Sequence, residues 1–252
     1  SVFDNPKSHF ILSRLIGFVS KEDDIILDFF AGSGTTGHAT MQLNAEQEKK
    51  RKYILVQLPE LINEKKNKEA FSFVKNELKV SEPTIFHITK ERLVRASKKI
   101  NLEYSGSKKI DFGLKIFETN SIWEDYGFDS KELSDQTKLF DETKLNDEDL
   151  KALLITWKTF DGSPLTEQTI IHDFEGYSGH YVNSKLYLMD KRFSTKNLSK
   201  LLEKIDSDKN FNPTSIIAFG YHFDSKNLRE ISENIKSYAN KKNIDIDFIT
   251  RY

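Results

Sequence analysis

The chain has 252 residues, enough for one large domain or two smaller ones, and its 38 basic and 39 acidic residues give a net charge of -1. This balance excludes a general electrostatic attraction to nucleic acid, so any DNA-binding surface must be local. The lack of cysteine excludes disulfides, thiol catalysis and cysteine zinc sites. No apolar run approaches the roughly 20 residues that span a bilayer, so we expect a soluble, cytoplasmic protein.

The first third of the chain alternates between helical and strand patterns. Apolar residues from Phe10 to Val19 recur at helical spacing, and DIILDFF (24–30) is a short apolar run that we interpret as a buried strand. TTGHATMQLN (35–44) predicts a helix, and YILVQL (53–58) predicts a second buried strand. Such alternation predicts a parallel sheet with helical crossovers.

Further elements follow in the same manner. We predict a helix over 61–78, a strand over TIFHIT (84–89), a basic helix over KERLVRASKKI (90–100) and a strand over DFGLKIFET (111–119). The basic residues of that helix suit either DNA phosphates or a solvated helix face, and we favour the solvated face. They are Lys90, Arg92, Arg95, Lys98 and Lys99.

The second half of the chain has a different composition. Residues 124–149 are acidic with few apolar positions, which is typical of a linker or an exposed excursion. A smaller α/β unit follows, with Thr195 as the N-cap of one helix. We predict its helices over 149–160, 195–205 and 225–242, and its strands over 185–191, 214–223 and 244–250.

The segment DFFAGSGTTG, which begins at Asp28, is the main candidate for chemistry. Gly32, Gly34 and Gly37 fit the G-x-G-x-x-G spacing of a dinucleotide loop between a strand and a helix. However, the Asp28 carboxylate would repel a pyrophosphate at the helix N-terminus and suits a cationic group instead. The acid that binds ribose about 20 residues later in nicotinamide enzymes is also missing, and Gln57 ends the second strand.

This pattern favours S-adenosylmethionine, which carries a sulfonium and an ammonium group and no phosphate, over NAD. Phe29 and Phe30 can pack on its adenine or face its sulfonium, and Thr35 and Thr36 supply hydroxyls at the helix start. A purely structural turn remains the alternative. The six histidines show no ligand spacing, so we predict no metal site.

Three segments carry a resemblance to a known family: NPKSHFILSRLI (5–16), LDFFAGSGTTGHATMQLN (27–44) and RKYILVQLPE (51–60). They resemble the later half of DNA adenine-N6 methyltransferases, and most closely the modification (Mod) subunits of type III restriction–modification systems. The resemblance is specific over residues 1–60, continues more loosely to Trp123, and extends to a tail similar to the C-terminal region of Mod subunits.

The resemblance implies an α/β fold, with a partial Rossmann-like methyltransferase sheet over 1–123, an acidic linker over 124–149 and a smaller α/β domain over 150–252. It implies S-adenosyl-L-methionine as cofactor, and DNA, a second Mod subunit and a restriction (Res) subunit as partners. Gln57 stands where many relatives carry a ribose-binding acid. The positions that the resemblance assigns to cofactor binding are Asn5, Pro6, Lys7, Asp28, Phe29, Phe30, Ala31, Gly32, Ser33, Gly34, Thr35, Thr36 and Gln57.

Members of this family that methylate amino groups carry an Asp-Pro-Pro-Tyr motif, which holds the flipped adenine. No two of the five prolines are adjacent in this sequence, so we predict no catalytic residue. The chain also begins with Ser1 rather than Met, and we expect a fragment that does not methylate DNA alone. An NAD-dependent oxidoreductase and a non-catalytic assembly module remain the alternative functions.

Overall fold

A computed structural model describes residues 7–104, 111–121 and 144–252. The chain divides into two units, Ser1–Lys115 and Ile116–Tyr252, which are described separately below. Among the described residues, no helix has the length and apolar character needed to cross a membrane.

The described part of the first unit contains two strands and four helices. The strands are β1 (Ile25–Asp28) and β2 (Lys52–Leu55), which pair in parallel. The helices are α1 (His9–Val19), α2 (Thr35–Gln47), α3 (Lys68–Ser72), which continues as a π-helical turn (Phe73–Glu77), and α4 (Ile85–Glu103).

Helices α1, α2 and α4 begin at the same end of this unit. The His9 ring stacks on the His38 ring at 4.1 Å, and the Ser13 hydroxyl donates to the Ala39 carbonyl at 3.1 Å, so α1 runs parallel to α2. Helix α4 lies on the other side of α2, where its apolar face shares a buried cluster with Met41 and Ala45. The start of each helix therefore lies near the loop between β1 and α2.

The predicted strands β1 and β2 are confirmed, but the prediction that they are buried is wrong. Ile26 and Leu55 pack toward the helices, but Ile25, Leu27 and Ile54 are 59%, 55% and 46% exposed. A parallel sheet is buried on both faces only where helices cover both of them. In the described residues the helices cover one face, and an apolar face of the sheet is open.

The interpretation of residues 84–89 as a strand is also wrong, because they form the N-cap and first turns of α4. Thr84 and His87 form a capping box, in which the Thr84 N–H donates to the His87 ring at 3.3 Å. This satisfies a backbone donor that the helix start leaves unpaired. The buried side chains of α4 then follow helical spacing, at Ile88, Thr89, Leu93, Ala96 and Ile100.

Two other predictions for the first unit need correction. The predicted helix over 61–78 begins only at Lys68, because the Asn63 carboxamide accepts hydrogen bonds from the N–H groups of Lys65 and Lys66 in a preceding turn. The predicted strand over 111–119 pairs with no other strand of the described chain, although Phe112 is buried against α2 and α4.

The described part of the second unit is a mixed sheet of five strands in the order β3-β4-β5-β6-β7. Strands β3, β4 and β5 pair antiparallel, whereas β5, β6 and β7 pair parallel. The strands are β3 (Ile170–Asp173), β4 (Ser178–Val182), β5 (Lys185–Leu188), β6 (Ser215–Phe219) and β7 (Asp247–Arg251). The helices are α5 (Asp147–Phe160), α6 (Thr195–Ser207) and α7 (Ser225–Lys242), with a short 3-10 turn at Gly220–His222.

Alternating strand residues of this sheet form two separate cores. Leu186 and Ile216 pack against α6 and α7, whereas Tyr187 and Ile217 pack against α5, so helices cover both faces. The three predicted helices and three predicted strands of this unit are present, but the strands are shorter than predicted, and the predicted strand over 214–223 ends at Phe219, before the 3-10 turn. The β3–β4 hairpin was not predicted. The N-cap of α6 is Ser194, and Thr195 is the first helical residue.

The predicted acidic linker falls mostly outside the described residues, as does Trp123. The last residues of the predicted linker, 144–149, are described. Asn146 caps α5 by accepting hydrogen bonds from the N–H groups of Glu148 and Asp149. Residues 147–149 are therefore helical rather than linker, because a side-chain cap and three acidic residues favour the helix start.

Candidate cofactor site

The glycine loop between β1 and α2 is held by backbone hydrogen bonds. The pairing of the two strands continues past β1, where the Val56 N–H donates to the Asp28 carbonyl at 2.8 Å and the Ala31 N–H donates to the Val56 carbonyl at 3.1 Å. Gly34 then has a φ of 75°, a left-handed conformation that glycine adopts without strain. The loop therefore turns sharply into α2.

The Asp28 side chain lies at the first turn of α2. One carboxylate oxygen accepts the Phe30 N–H at 3.0 Å, and the other accepts the Thr36 hydroxyl at 2.6 Å. A half-buried negative charge thus lies where a dinucleotide fold would bind its pyrophosphate. Each carboxylate oxygen keeps a lone pair that can accept from a cationic ligand.

Gln57, which the sequence placed at the end of the second strand, holds the same loop. Its side-chain oxygen accepts the Gly32 N–H at 2.7 Å, and its amide nitrogen donates to the Leu58 carbonyl at 2.9 Å. One amide hydrogen and one oxygen lone pair remain for a hydroxyl group of a ligand.

Helix α4 supplies two contacts to the loop that the sequence did not predict. The Thr89 hydroxyl donates to the Gly32 carbonyl. One guanidinium nitrogen of Arg92 donates to the Ser33 hydroxyl at 2.8 Å and to the Thr35 hydroxyl at 2.7 Å. Burial lowers the pKa of Arg92, although not enough to remove its charge at pH 7. No signal in the sequence marked Thr89 or Arg92, because their contacts with the loop depend on how α4 packs against α2.

A pair of stacked histidines lies beside this end of the helices. Burial, together with the nearby His9, Arg92 and Lys99, lowers the pKa of His38 to about 4. Burial also lowers the pKa of His9. Both rings are therefore neutral at pH 7 and add no charge to the site.

The structure thus brings the residues from Asp28 to Thr36 together with Gln57. Phe29 and Phe30 are 62% and 85% exposed beside the loop, and their rings meet edge to face at 5.8 Å. Lys7 is exposed just before α1, whereas Asn5 and Pro6 lie outside the described residues. No group of metal-ligating side chains occurs in the described part of the chain.

These residues fit S-adenosylmethionine better than NAD. The carboxylate at the start of α2 is suited to an ammonium group, and the exposed aromatic rings beside it are suited to a base or a sulfonium. The same carboxylate opposes a pyrophosphate.

Two protein-family models match the chain. One, described as DNA methylase, matches residues 1–64, and the other, described as the type III R-M EcoP15I C-terminal domain, matches residues 148–244. The first match contains the glycine loop, and the second contains most of the five-stranded sheet.

Curated relatives match along nearly the whole chain. The EcoPI Mod subunit of Escherichia phage P1 is 36% identical over 99% of the chain and 37% of its own length. The EcoP15I Mod subunit of Escherichia coli is 37% identical over 99% of the chain and 36% of its own length. The StyLTI Mod subunit of Salmonella typhimurium is 29% identical over 97% of the chain and 40% of its own length. The chain therefore spans little more than a third of these type III restriction–modification subunits.

Proposed function

Because the chain is homologous over 99% of its length to Mod subunits of type III restriction–modification enzymes, we propose that it forms the cofactor-binding and C-terminal part of such a subunit. The proposed reaction is methylation of the adenine amino nitrogen in DNA. The proposal rests on the continuous match to Mod subunits. This match includes both a methylase segment and a Mod-type C-terminal domain in one chain.

The proposed cofactor is S-adenosylmethionine, which supplies an electrophilic methyl group on a sulfonium. Asp28 would accept hydrogen bonds from its ammonium group, and Gln57 would bind a ribose hydroxyl. Phe29 and Phe30 would cover its adenine or sulfonium. The remaining proposed contacts come from Asn5, Pro6, Lys7, Ala31, Gly32, Ser33, Gly34, Thr35 and Thr36.

We further propose that the chain does not methylate DNA alone, because it lacks an Asp-Pro-Pro-Tyr motif to hold the flipped base. The open apolar face of β1 and β2 supports a larger methyltransferase domain, since parallel sheets bury both faces. The proposed division is a cofactor-binding part over 1–123, a linker over 124–149 and a C-terminal domain over 150–252. DNA, a second Mod subunit and a Res subunit are the proposed partners, and the cytoplasm is the proposed location.

A methyl-transfer assay tests this function. The intact Mod subunit that carries this sequence is expected to move a labelled methyl group from S-adenosylmethionine to adenine N6 in DNA, whereas the 252-residue chain leaves DNA unlabelled. Product analysis by mass spectrometry distinguishes adenine from cytosine methylation. An intact subunit that labels no adenine would contradict the proposed reaction, and labelling by the chain alone would contradict its proposed inactivity.

A further inference from the structure

Arg92 differs from the other arginine of α4 in how its charge is balanced. Arg95 forms an ion pair with Glu91 at 2.6 Å, and its side chain is 61% exposed. Arg92 is half-buried, and in the described part of the chain its guanidinium lies within ion-pair distance of no carboxylate. A partly buried cation without an anion is unfavourable unless a ligand supplies one.

The known contacts of Arg92 leave most of its hydrogen-bonding capacity unused. A guanidinium has five N–H donors, and the two hydrogen bonds to Ser33 and Thr35 both use one nitrogen. Both acceptors are neutral hydroxyls, which do not compensate the charge. The other two nitrogens can form the paired hydrogen bonds that planar carboxylates accept from arginine.

The loop also keeps Arg92 apart from Asp28. Arg92 binds the hydroxyl of Thr35, and Asp28 binds the hydroxyl of the next residue, Thr36, yet the two charged groups form no ion pair. The glycine loop is therefore flanked by one negative and one positive side chain. The N-terminus of α2, which begins at Thr35, adds partial positive charge beside Arg92.

This arrangement is complementary to an amino-acid group, which carries an ammonium and a carboxylate on one carbon. We propose that Arg92 binds the carboxylate of the methionine moiety of S-adenosylmethionine, while Asp28 binds the ammonium. The inference rests on the proposed function and adds to it a residue that lies outside the segments resembling the family's cofactor motifs. It also assigns Arg92 to the cofactor rather than to DNA phosphates.

The test compares two ligands that differ only in the carboxylate. S-adenosylmethionine and its decarboxylated analogue are titrated into the intact Mod subunit carrying this sequence, as wild type, Arg92→Met, Arg92→Lys and the neighbouring control Arg95→Met. We expect Arg92→Met to weaken S-adenosylmethionine roughly 10- to 100-fold, since hydrogen bonds to a charged group are lost. The affinity for the decarboxylated analogue should stay within about twofold, and Arg95→Met should change neither ligand.

The variant Arg92→Lys separates a lost contact with the carboxylate from misfolding, because lysine retains the charge but cannot form the paired hydrogen bonds. We expect it to lose part of the preference for the carboxylate while it melts close to wild type. Equal weakening of both ligands would show a structural role and overturn the inference. A loss of affinity for duplex DNA without a change for S-adenosylmethionine would show a phosphate contact and also overturn it. A wild-type subunit that binds no S-adenosylmethionine would overturn the proposed function itself.

Discussion

At the scale of single residues, the glycine loop is held by polar side chains from separate elements. Gln57 follows β2 and binds the Gly32 N–H, whereas Thr89 and Arg92 reach the loop from α4. A Cβ atom at position 34 would lie 3.0 Å from the Thr89 side chain. The substituted residue would also have to adopt a φ of 75°, which side chains disfavour. These contacts hold the loop in one conformation, and an ordered loop lowers the entropic cost of binding a ligand.

A second polar cluster stabilises the C-terminal unit. The Asp161 carboxylate accepts two hydrogen bonds from Arg251, at 2.9 and 3.1 Å, and one from the Tyr187 hydroxyl at 2.8 Å. Burial alone would raise the pKa of Asp161, but these hydrogen bonds outweigh it and lower the pKa. The carboxylate therefore contributes stability above the pKa that it has in the unfolded chain, and this contribution is lost as the pH falls through the lower folded pKa.

We predict that Asp161→Asn lowers the free energy of unfolding by about 2–3 kcal/mol at pH 7, because Arg251 loses its anion. The difference from wild type should start to shrink at about pH 4, where the carboxylate becomes protonated in the unfolded chain, and should be lost as the pH falls through the lower pKa of the folded protein. Urea denaturation at pH 7 and pH 3 measures both values. The control Glu203→Gln removes an exposed ion pair with Lys200 and should change little. An equal loss of stability for Asp161→Asn at pH 7 and at pH 3 would contradict a stabilising role for the ionised Asp161 carboxylate.

At the scale of elements, the helix α4 shows where periodicity in the sequence is ambiguous. TIFHIT is rich in β-branched and aromatic residues, which favour a strand over six residues. The helical spacing becomes visible only when the segment is read together with the following eleven residues, because Thr89, Leu93 and Ile100 then share one face. Short apolar runs do not distinguish a strand from the start of a long helix.

Capping gives a test at the same scale. We predict that Ser194→Ala lowers the free energy of unfolding by about 1 kcal/mol, because the first turn of α6 loses the cap that pairs with Asn197. Thr195→Ala is the matched control and should cost little, since Thr195 is helical and its hydroxyl meets only an exposed Glu230 oxygen at 3.2 Å. Chemical denaturation of both variants decides between the two caps. A larger loss for Thr195→Ala would restore the original prediction.

The candidate site was predictable where its residues are close in sequence or end neighbouring strands. Asp28, the glycines and Gln57 meet because parallel strands end at one edge of a sheet. Thr89 and Arg92 were not predictable, because their contacts depend on how α4 packs against α2. The exposure of β1 and β2 was missed for the same reason, since an apolar strand does not indicate how many of its faces are covered.

At the scale of the whole molecule, the described chain contains separate hydrophobic cores. The C-terminal unit buries Tyr187, Phe174, Phe211 and Phe219 almost completely. The first unit has smaller clusters and two strands, one face of which is open. A two-stranded sheet is marginally stable by itself.

We predict that residues 144–252 fold independently. A fragment of these residues should unfold cooperatively, because its sheet is covered on both faces by its own helices. Circular dichroism during heating and urea denaturation, compared with the 252-residue chain, measures this. A gradual change in the circular dichroism signal, without a baseline for the folded fragment, would show that the C-terminal unit depends on the rest of the chain.

The most direct test of the central claim is calorimetric titration of S-adenosylmethionine into the 252-residue chain, with NAD titrated in parallel. We predict saturable binding of S-adenosylmethionine, no binding of NAD, and at least roughly tenfold weaker binding for Asp28→Asn, which loses a charged hydrogen bond. Asp23→Asn, at an exposed acid of the turn before β1, is the matched control and should bind as the wild type does. Binding of NAD, or S-adenosylmethionine binding that is absent or unaffected by Asp28→Asn, would contradict a methyltransferase cofactor site at the glycine loop.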